Sequence, residues 1–477
     1  MAINKELEAL FSSYQKLLAK PEVSSLIMKR PKEWEGKTTT LIVTDDCNLR
    51  CTYCYITHKT KNAMTWEVAK EFIDLVFEKH MHLKDIPPAE QKQFDHAKIW
   101  DFVGGEPFLE YELVFKCMHY IMKETEKLPN NHPWKRGFEC SACREKGNPA
   151  HIVPGFRFQF SSNGTLFNNP EIRKELESFG SGYVSLAITV DGPEDMHDHC
   201  RVYEDGVTGS FEIIMENWAW YKKNFPEGAS TTKSTISHEN LTHINKVATF
   251  FWEELDIPYV SMNCVFENVW YRGDQLILFD QLCDLADYLI IDKRYQKFGI
   301  RWFDPMLGTK DTSDTKWCGA GTAMDACGWD GNIYPCLRFK TLDNQKPVVL
   351  GDIKTWKNQE IIDSFAVGNC HNEGNQQLET TGVNCKECLI SGFCSSCQAY
   401  SYDVYGRLDV KAIFLCPMHK ANVLANLYFF GRLLGIAEKQ DRDYFLMLLD
   451  DFTKDDYFGY DENGKPVPVP FPSLNKN

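Results

Sequence analysis

From Thr38 onward the chain switches repeatedly between two hydrophobic periods, and this rhythm limits the fold more than any other feature of the sequence. Apolar, β-branched runs with strand character lie at Thr39–Thr44, Lys98–Val103, Arg157–Ser161, Val184–Asp191, Lys233–Ser237 and Tyr259–Val265. Amphipathic stretches of helical period follow, clearest at Thr65–His80, Glu110–Glu126, Pro170–Phe179, Ser210–Asn224 and Asn240–Leu255. Six βα units predict an α/β fold built on a parallel sheet with right-handed crossovers, either doubly wound or a partial barrel. Loop signals collect where the strands end, the face on which such folds keep their chemistry.

Directly after the first strand stands Cys47-Asn-Leu-Arg-Cys51-Thr-Tyr-Cys54-Tyr55. Three thiolates at this spacing satisfy three irons of a cubane cluster and leave the fourth open. An open iron can chelate the amino-acid end of S-adenosylmethionine and deliver one electron to its sulfonium. A structural zinc is the competing reading. It wants a fourth Cys or His, and none stands within the loop, although His58 lies just beyond.

The chain is acidic: Lys plus Arg total 52 against 67 for Asp plus Glu, a net charge of −15. Such a chain is poorly suited to grip nucleic acid or anionic membranes, and a neutral or basic peptide suits it better. No apolar run is long enough to span a membrane. The start, Met1 to Lys20, reads as a polar amphipathic helix without the apolar core of a signal peptide. Eighteen cysteines, many in tight clusters, then argue for metal ligation in a reducing, cytoplasmic setting.

Two stretches interrupt the alternation. His80–His96 is a polar connection containing Pro87-Pro88. Lys127–Gly155 carries Cys140-Ser-Ala-Cys143 between His132 and His151, which reads as half a zinc site, a redox pair or two plain thiols. Past Val265 the rhythm fades into a bridge, Phe266–Lys316, ahead of a cysteine-rich second module. A helix from His419 to about Glu438, an acidic aromatic tail around Asp450–Asp461 and a Pro-rich end complete the chain.

The later strand ends carry Gly104-Gly105-Glu106-Pro107, Ser161-Ser162-Asn163-Gly164, and Asp191-Gly192-Pro193 with Met196-His197-Asp198 and Arg201. The paired glycines permit close backbone approach, and Glu106 can accept hydrogen bonds from an ammonium. Small polar groups suit a ribose or carboxylate, and an arginine can take a carboxylate in bidentate fashion. Singly, each could be a turn, a helix cap or a solvated cation.

Together with the cysteine loop, these motifs resemble the radical S-adenosylmethionine (radical SAM) enzymes, and within them the members with a C-terminal SPASM domain. The resemblance runs from about Thr38 to His419. It implies a partial (β/α)6 TIM-like barrel over 38–265 with an insertion at 127–155. A helical extension at 1–37 precedes the barrel, and a bridge at 266–317, a SPASM domain at 318–419 and a C-terminal helix and tail at 420–477 follow it. It places Tyr53 beside the adenine, Gly105 and Glu106 at the methionine amine, Ser162 and Asn163 near the ribose or carboxylate, and Arg201 on the carboxylate. The SPASM opening pattern is met by Cys318, Gly331 and Cys336, followed by Cys385, Cys388, Cys394, Cys397 and Cys416. Cys394-Ser-Ser-Cys397 is one residue shorter than the family's usual spacing. By resemblance one auxiliary cluster takes Cys318, Cys327, Cys336 and Cys397, and the other Cys385, Cys388, Cys394 and Cys416. That makes three [4Fe-4S] clusters, the two auxiliary ones fully ligated and suited to electron transfer. A pair of zinc ribbons is the plainer alternative. Of the seven remaining cysteines, Cys117, Cys140, Cys143, Cys200, Cys264, Cys283 and Cys370, most read as small buried hydrophobes; Cys200 and Cys264 lie near strand ends, where one could face the substrate, though the core reading is favoured.

The resemblance implies a maturase that makes a 5′-deoxyadenosyl radical and oxidises a ribosomally made precursor peptide, giving a thioether or other crosslink. Its electron would come from a flavodoxin or ferredoxin. The 37 residues before the barrel are short for a leader-binding domain, which points either to a separate leader-binding protein or to recognition by the barrel and its insertions. A formylglycine-forming sulfatase maturase is the nearest rival. That group places an aspartate after the cysteine matching Cys336, where this chain has Leu337. Quinohemoprotein- and mycofactocin-type maturases are further alternatives. A non-catalytic electron carrier would have no need of Glu106, Asn163 or Arg201.

Overall fold

The computed structural model describes residues 2–18, 20–28, 36–81, 97–139, 152–304, 318–367, 388–390, 394–408, 411–436, 441–454, 456, 459–463 and 466–467. Six parallel strands form its framework: β1 (Gly36–Thr44), β2 (Ala97–Gly104), β3 (Phe156–Ser162), β4 (Val184–Ile188), β5 (Thr231–Ile236) and β6 (Tyr259–Cys264). β1 to β4 pair side by side in sequence order. β5 pairs with β6, and β6 with a short strand at Gly299–Ile300. The two arcs meet through Asp191, just beyond β4, whose carbonyl accepts from Ser234 Oγ at 3.0 Å. The result is the open, TIM-like α/β arrangement that the alternating pattern predicts.

Strand alternation explains which face each residue takes. Leu41 and Val43 of β1, Trp100 and Phe102 of β2, and Phe156, Phe158 and Phe160 of β3 are all buried in the main apolar core. Helices α2 (Trp66–Met81), α3 (Tyr111–Glu126) and α4 (Pro170–Tyr183) follow the first three strands. Phe72, Ile73, Met118, Ile121 and Leu176 on these helices are buried in that core. Burying each such side chain contributes about 1.5–3 kcal/mol. The other face carries polar groups, with Thr40 Oγ1 donating to Asp101 Oδ2 at 3.4 Å and Lys233 Nζ to Ser161 Oγ at 3.3 Å, beside a small apolar cluster of Ile42, Ala326 and Tyr334. Burial pushes the Asp101 carboxyl up to about 6.

Three findings depart from the sequence pattern. The bridge holds a helix, α7 (Asp274–Ile290), with nine buried residues; α5 (Glu194–Cys200) and α6 (Phe211–Asn224) precede it in the chain. The single helix expected at Asn240–Leu255 is three short pieces, a 3-10 turn at His238–His243, an α-helix at Ile244–Thr249 and a π turn at Phe250–Glu254. A capping box between Ser237 and Asn240 starts this segment two residues early. The acidic tail contains a helix of its own, α10 (Arg442–Thr453), after α8 (Gln398–Tyr405) and α9 (Cys416–Leu433). The N-terminal helix α1 (Ala2–Leu18) packs on α10, where Tyr444 Oη donates to Glu6 Oε1 at 2.6 Å.

The second cysteine-rich segment is not a separate layer. Its strand β7 (Met324–Cys327) pairs in parallel with β1, Thr38 opposite Met324 through Leu41 opposite Cys327. β8 (Asn332–Tyr334), β9 (Gly351–Asp352) and β10 (Trp356–Lys357) continue the same sheet as antiparallel neighbours. Asp45, at the end of β1, fastens the junction. Its carboxylate accepts from Lys340 Nζ at 2.7 Å and from Trp329 Nε1 at 2.5 Å, with both ion-pair side chains about nine-tenths buried. Removing one partner of a buried pair strands the other, at about 3–5 kcal/mol. D45A is therefore expected to lower the unfolding free energy by roughly that amount in denaturant titration, and D45L/K340M to recover much of it. A D45A loss below about 1 kcal/mol would mean that the pair does not fasten the junction.

Candidate active site

The cysteine loop leaves β1 and is trapped between two neighbouring segments. On one side it pairs with the chain after α5: Arg50 N donates to Val202 O at 2.7 Å and Thr52 N to Cys200 O at 3.0 Å. On the other it lies against Gly104-Gly105. Gly105 N donates to Thr44 O at 3.1 Å and Glu106 N to Asp46 O at 2.9 Å. A Cβ on Gly105 would stand 2.2 Å from Asp46 O and 2.7 Å from Cys47 Cβ. The paired glycines therefore allow the loop itself to approach, which the motif alone did not specify.

Glu106 follows directly and is almost wholly buried. Its Oε1 accepts from Ser162 Oγ at 2.9 Å and Phe108 N at 3.2 Å, and its Oε2 from Asn163 N at 2.7 Å. Burial pushes the carboxyl up to about 7, opposed by these hydrogen bonds and by Arg201. Asn163 continues the network, donating to Asn48 Oδ1 at 2.8 Å and lying 3.9 Å from Cys47 Sγ. Burial raises the Cys47 thiol to about 11 and the nearby Glu106 carboxylate adds to it.

Arg201 lies opposite, its side chain only 9% exposed. Its Nη1 donates to Tyr53 Oη at 2.9 Å, and Tyr53 Oη in turn donates to Asp191 Oδ2. The guanidinium lies near enough to oppose the rise that burial gives the Cys51 thiol. Among the described residues, Nε of Arg201 is buried without a hydrogen-bond partner. His197 supports this group from behind: Nδ1 accepts from Asp191 N at 3.3 Å, Nε2 lies 3.0 Å from Ser210 Oγ, and that hydroxyl donates to Arg201 O at 2.9 Å. The hydroxyl proton being so used, the network assigns the proton to Nε2, and burial holds the imidazole neutral by pushing its pKa well down. Asp198 turns away to accept from Ser210 N and Phe211 N at the start of α6, a structural cap. Asp191 was legible only as a turn residue; that Tyr53 would reach it across the loops had no sequence signal.

The donor set fits the groups that these motifs imply. Three thiols stand on one loop that itself holds no fourth Cys, next to a buried carboxylate suited to an ammonium and a buried arginine with spare donor capacity; Cys200 of α5 lies near enough for Cys51 to act on its thiol. Residues 41–251, which contain every residue of this site, match the family model of the Radical SAM superfamily. The segment is a radical SAM domain. That membership implies enzymatic catalysis, S-adenosylmethionine and a [4Fe-4S] cluster. Among curated relatives, an uncharacterized protein of Methanocaldococcus jannaschii is 24% identical over 212 residues, 44% of this chain and 56% of that one. This chain therefore spans little more than half of that relative's length. The cysteine-type anaerobic sulfatase-maturating enzyme of Clostridium novyi is 23% identical over 366 residues, 74% of this chain and 84% of that one. Among solved structures, anSMEcpe with bound AdoMet shares the fold at a TM-score of 0.54 and 20% identity, covering 87% of this chain and 98% of that one.

Beyond the radical SAM domain the cysteines gather in two further groups. Cys336 is influenced by Cys397 and Cys318. The loop after Cys318 is tied beside it by Gly321 N donating to Pro335 O at 3.1 Å. Cys388, Cys394 and Cys416 form the other group, where Lys411 Nζ donates to Cys394 Sγ at 2.6 Å and His419 lies close. Cys385, Cys140, Cys143 and Cys370 lie outside the described residues. Cys327 is buried within β7, opposite Ile333 of β8, and its Sγ lies 3.5 Å from the Gly328 carbonyl. The charges acting on Cys327 are Asp330 and Asp325. Of the cysteines expected to be inert, Cys117, Cys200 and Cys283 are buried and Cys264 half-buried.

The raised Glu106 carboxyl yields a test of its expected role as acceptor of the methionine ammonium. A carboxyl raised from 4.5 to about 7 is protonated below that pH and cannot serve fully as an ammonium acceptor. Binding of S-adenosylmethionine should strengthen as pH rises through about 7. E106Q is expected to weaken it by about 1.5–3 kcal/mol, roughly 10- to 100-fold in Kd, and to remove that inflection. Equilibrium binding across pH checks this, and an inflection that persists in E106Q contradicts the assignment.

Proposed function

We propose that this radical SAM domain and the cysteine-rich segment beside it form a maturase that oxidatively modifies a ribosomally made precursor peptide. In this reading Cys47, Cys51 and Cys54 hold the first cluster, Glu106 the methionine amine, and Arg201 the carboxylate through its spare Nε. Tyr53 and Gly105 line the cofactor, and Ser162 and Asn163 hold Glu106 while facing the ribose or carboxylate. The bound groups supply an electron and a 5′-deoxyadenosyl radical that removes a hydrogen from the substrate. Two auxiliary clusters are assigned to Cys318, Cys336 and Cys397 with Cys327, and to Cys385, Cys388, Cys394 and Cys416.

The observation that carries the reading is a single cleft between the first thiol group and the second. It is lined by Tyr53, Cys54 and Tyr55 of the cysteine loop, Glu267 after β6, and Arg338 and Tyr400 of the C-terminal segment. Cys54, Cys336 and Cys397 all act on Tyr55 from around this space. A substrate carbon held there lies between the group that starts the radical and the group that can take an electron from it. The protein's part is to orient that carbon and exclude water. A small reductant such as flavodoxin or ferredoxin and a separate leader-binding protein complete the proposed system. No described helix is long and apolar enough to cross a membrane, and the proposed setting is cytoplasmic.

The sulfatase-maturase relative favours a second reading, oxidation of a Ser or Cys side chain to formylglycine. Leu337 weighs against it: it packs on Ile42, Ala326 and Tyr334 and offers no carboxylate beside Cys336. The deciding experiment incubates the anaerobically reconstituted protein with peptides encoded beside its gene and reads product mass. Loss of two hydrogens from a peptide with no aldehyde is expected. A hydrazide-reactive aldehyde would establish the second reading instead, and iron sufficient for only one cluster would remove the auxiliary assignment.

A further inference from the structure

Arg338 stands where the cysteine loop, the barrel and the second thiol group meet. Its Nη1 donates to Cys397 Sγ at 3.4 Å. Its Nη2 is paired with Glu267, on the loop that leaves β6. The guanidinium lies over the Tyr55 ring, 4.7 Å from its centroid, and 5.9 Å from that of Tyr400. The backbone fixes this arrangement. Arg338 sits in the 3-10 turn Leu337–Phe339 that Cys336 begins, and Cys397 caps α8, its Sγ lying 3.5 Å from Tyr400 N. Tyr400 Oη accepts from Asn268 N at 2.9 Å, tying the Glu267 loop to the same helix.

A thiolate that ligates iron shares its charge with the cluster, so a cation and an N–H donor at that sulfur stabilise the reduced state. A carboxylate paired with the cation opposes the effect. We propose that Arg338 is a positioning residue that raises the reduction potential of the auxiliary centre held by Cys397, and that Glu267 trims this effect. The proposal rests on the auxiliary-cluster reading above. The electron concerned is the one lost by the substrate radical. It reduces the centre by one unit, the substrate releases its proton to solvent or a base, and no bond to Arg338 forms or breaks. A higher potential makes that transfer more favourable, and the placement of Arg338 on the cleft wall puts the control beside the substrate.

The test is an EPR-monitored redox titration of the full chain, reconstituted anaerobically, with iron counted for each sample. R338Q should shift the auxiliary signal to more negative potential, R338K should shift it less, and E267Q should shift it the opposite way. The signal of the cluster that responds to S-adenosylmethionine should stay in place in all three. Opposite shifts from the two partners are not produced by a merely structural role. No shift in R338Q, shifts of the same sign in R338Q and E267Q, or iron loss in R338Q would overturn the proposal. Wild-type protein that binds iron for one cluster only would overturn the auxiliary reading itself, before any potential is measured.

Discussion

β1 is hydrogen-bonded on both edges, by β2 and by β7, and the rest of the structure depends on that double pairing. A strand held on both sides cannot shift register without turning its buried face outward. The loop that leaves it is therefore delivered to a fixed place, where Gly104 and Gly105 allow the backbone of Thr44–Cys47 to press against β2's end. Glu106, one residue on, is set beside Cys47 by the same contact. The sheet edge gained from the C-terminal segment brings the second thiol group to the same end of the barrel, and the Asp45–Lys340 pair locks it there.

Much of the chemistry is written locally and was readable for that reason. The cysteine spacing, Gly104-Gly105-Glu106 and Ser162-Asn163 each act within a few residues of a strand end, and the structure brings them to one site. What escaped the sequence depends on partners far apart in the chain. Nothing near Tyr53 announces Asp191 or Arg201, and the polar triad they form follows from three loops converging. The pairing of β7 with β1 joins positions nearly three hundred residues apart, so a second module read as separate is part of the first sheet. Cys327 shows the same limit: a count of cysteines makes it a candidate ligand, and its place in β7 beside β1 was not visible in the sequence. The helix α7 carried a visible apolar period, Leu278, Phe279, Leu282, Leu285 and Leu289, which the expectation of a bridge obscured.

The electrostatics of the site divide by function. Buried groups at the proposed cofactor site keep spare capacity: the Glu106 carboxyl is pushed up to about 7, and Arg201 Nε has no hydrogen-bond partner among the described residues. The groups behind them, His197 and Ser210, are satisfied and neutral, so they hold position without competing for the ligand. Across the cleft the charges are paired instead, Arg338 with Glu267, and the pair bears on a thiol. Binding capacity on one side and a balanced charge on the other is the arrangement expected where a radical is started at one wall and an electron is collected at the other.

The measurement that bears most directly on this account is 5′-deoxyadenosine release from S-adenosylmethionine by the anaerobically reconstituted, chemically reduced protein, compared with its Cys51→Ala variant. The account predicts release by the wild type and none above background by the variant. Equal release by both, or none from a wild type with its full iron, would contradict it.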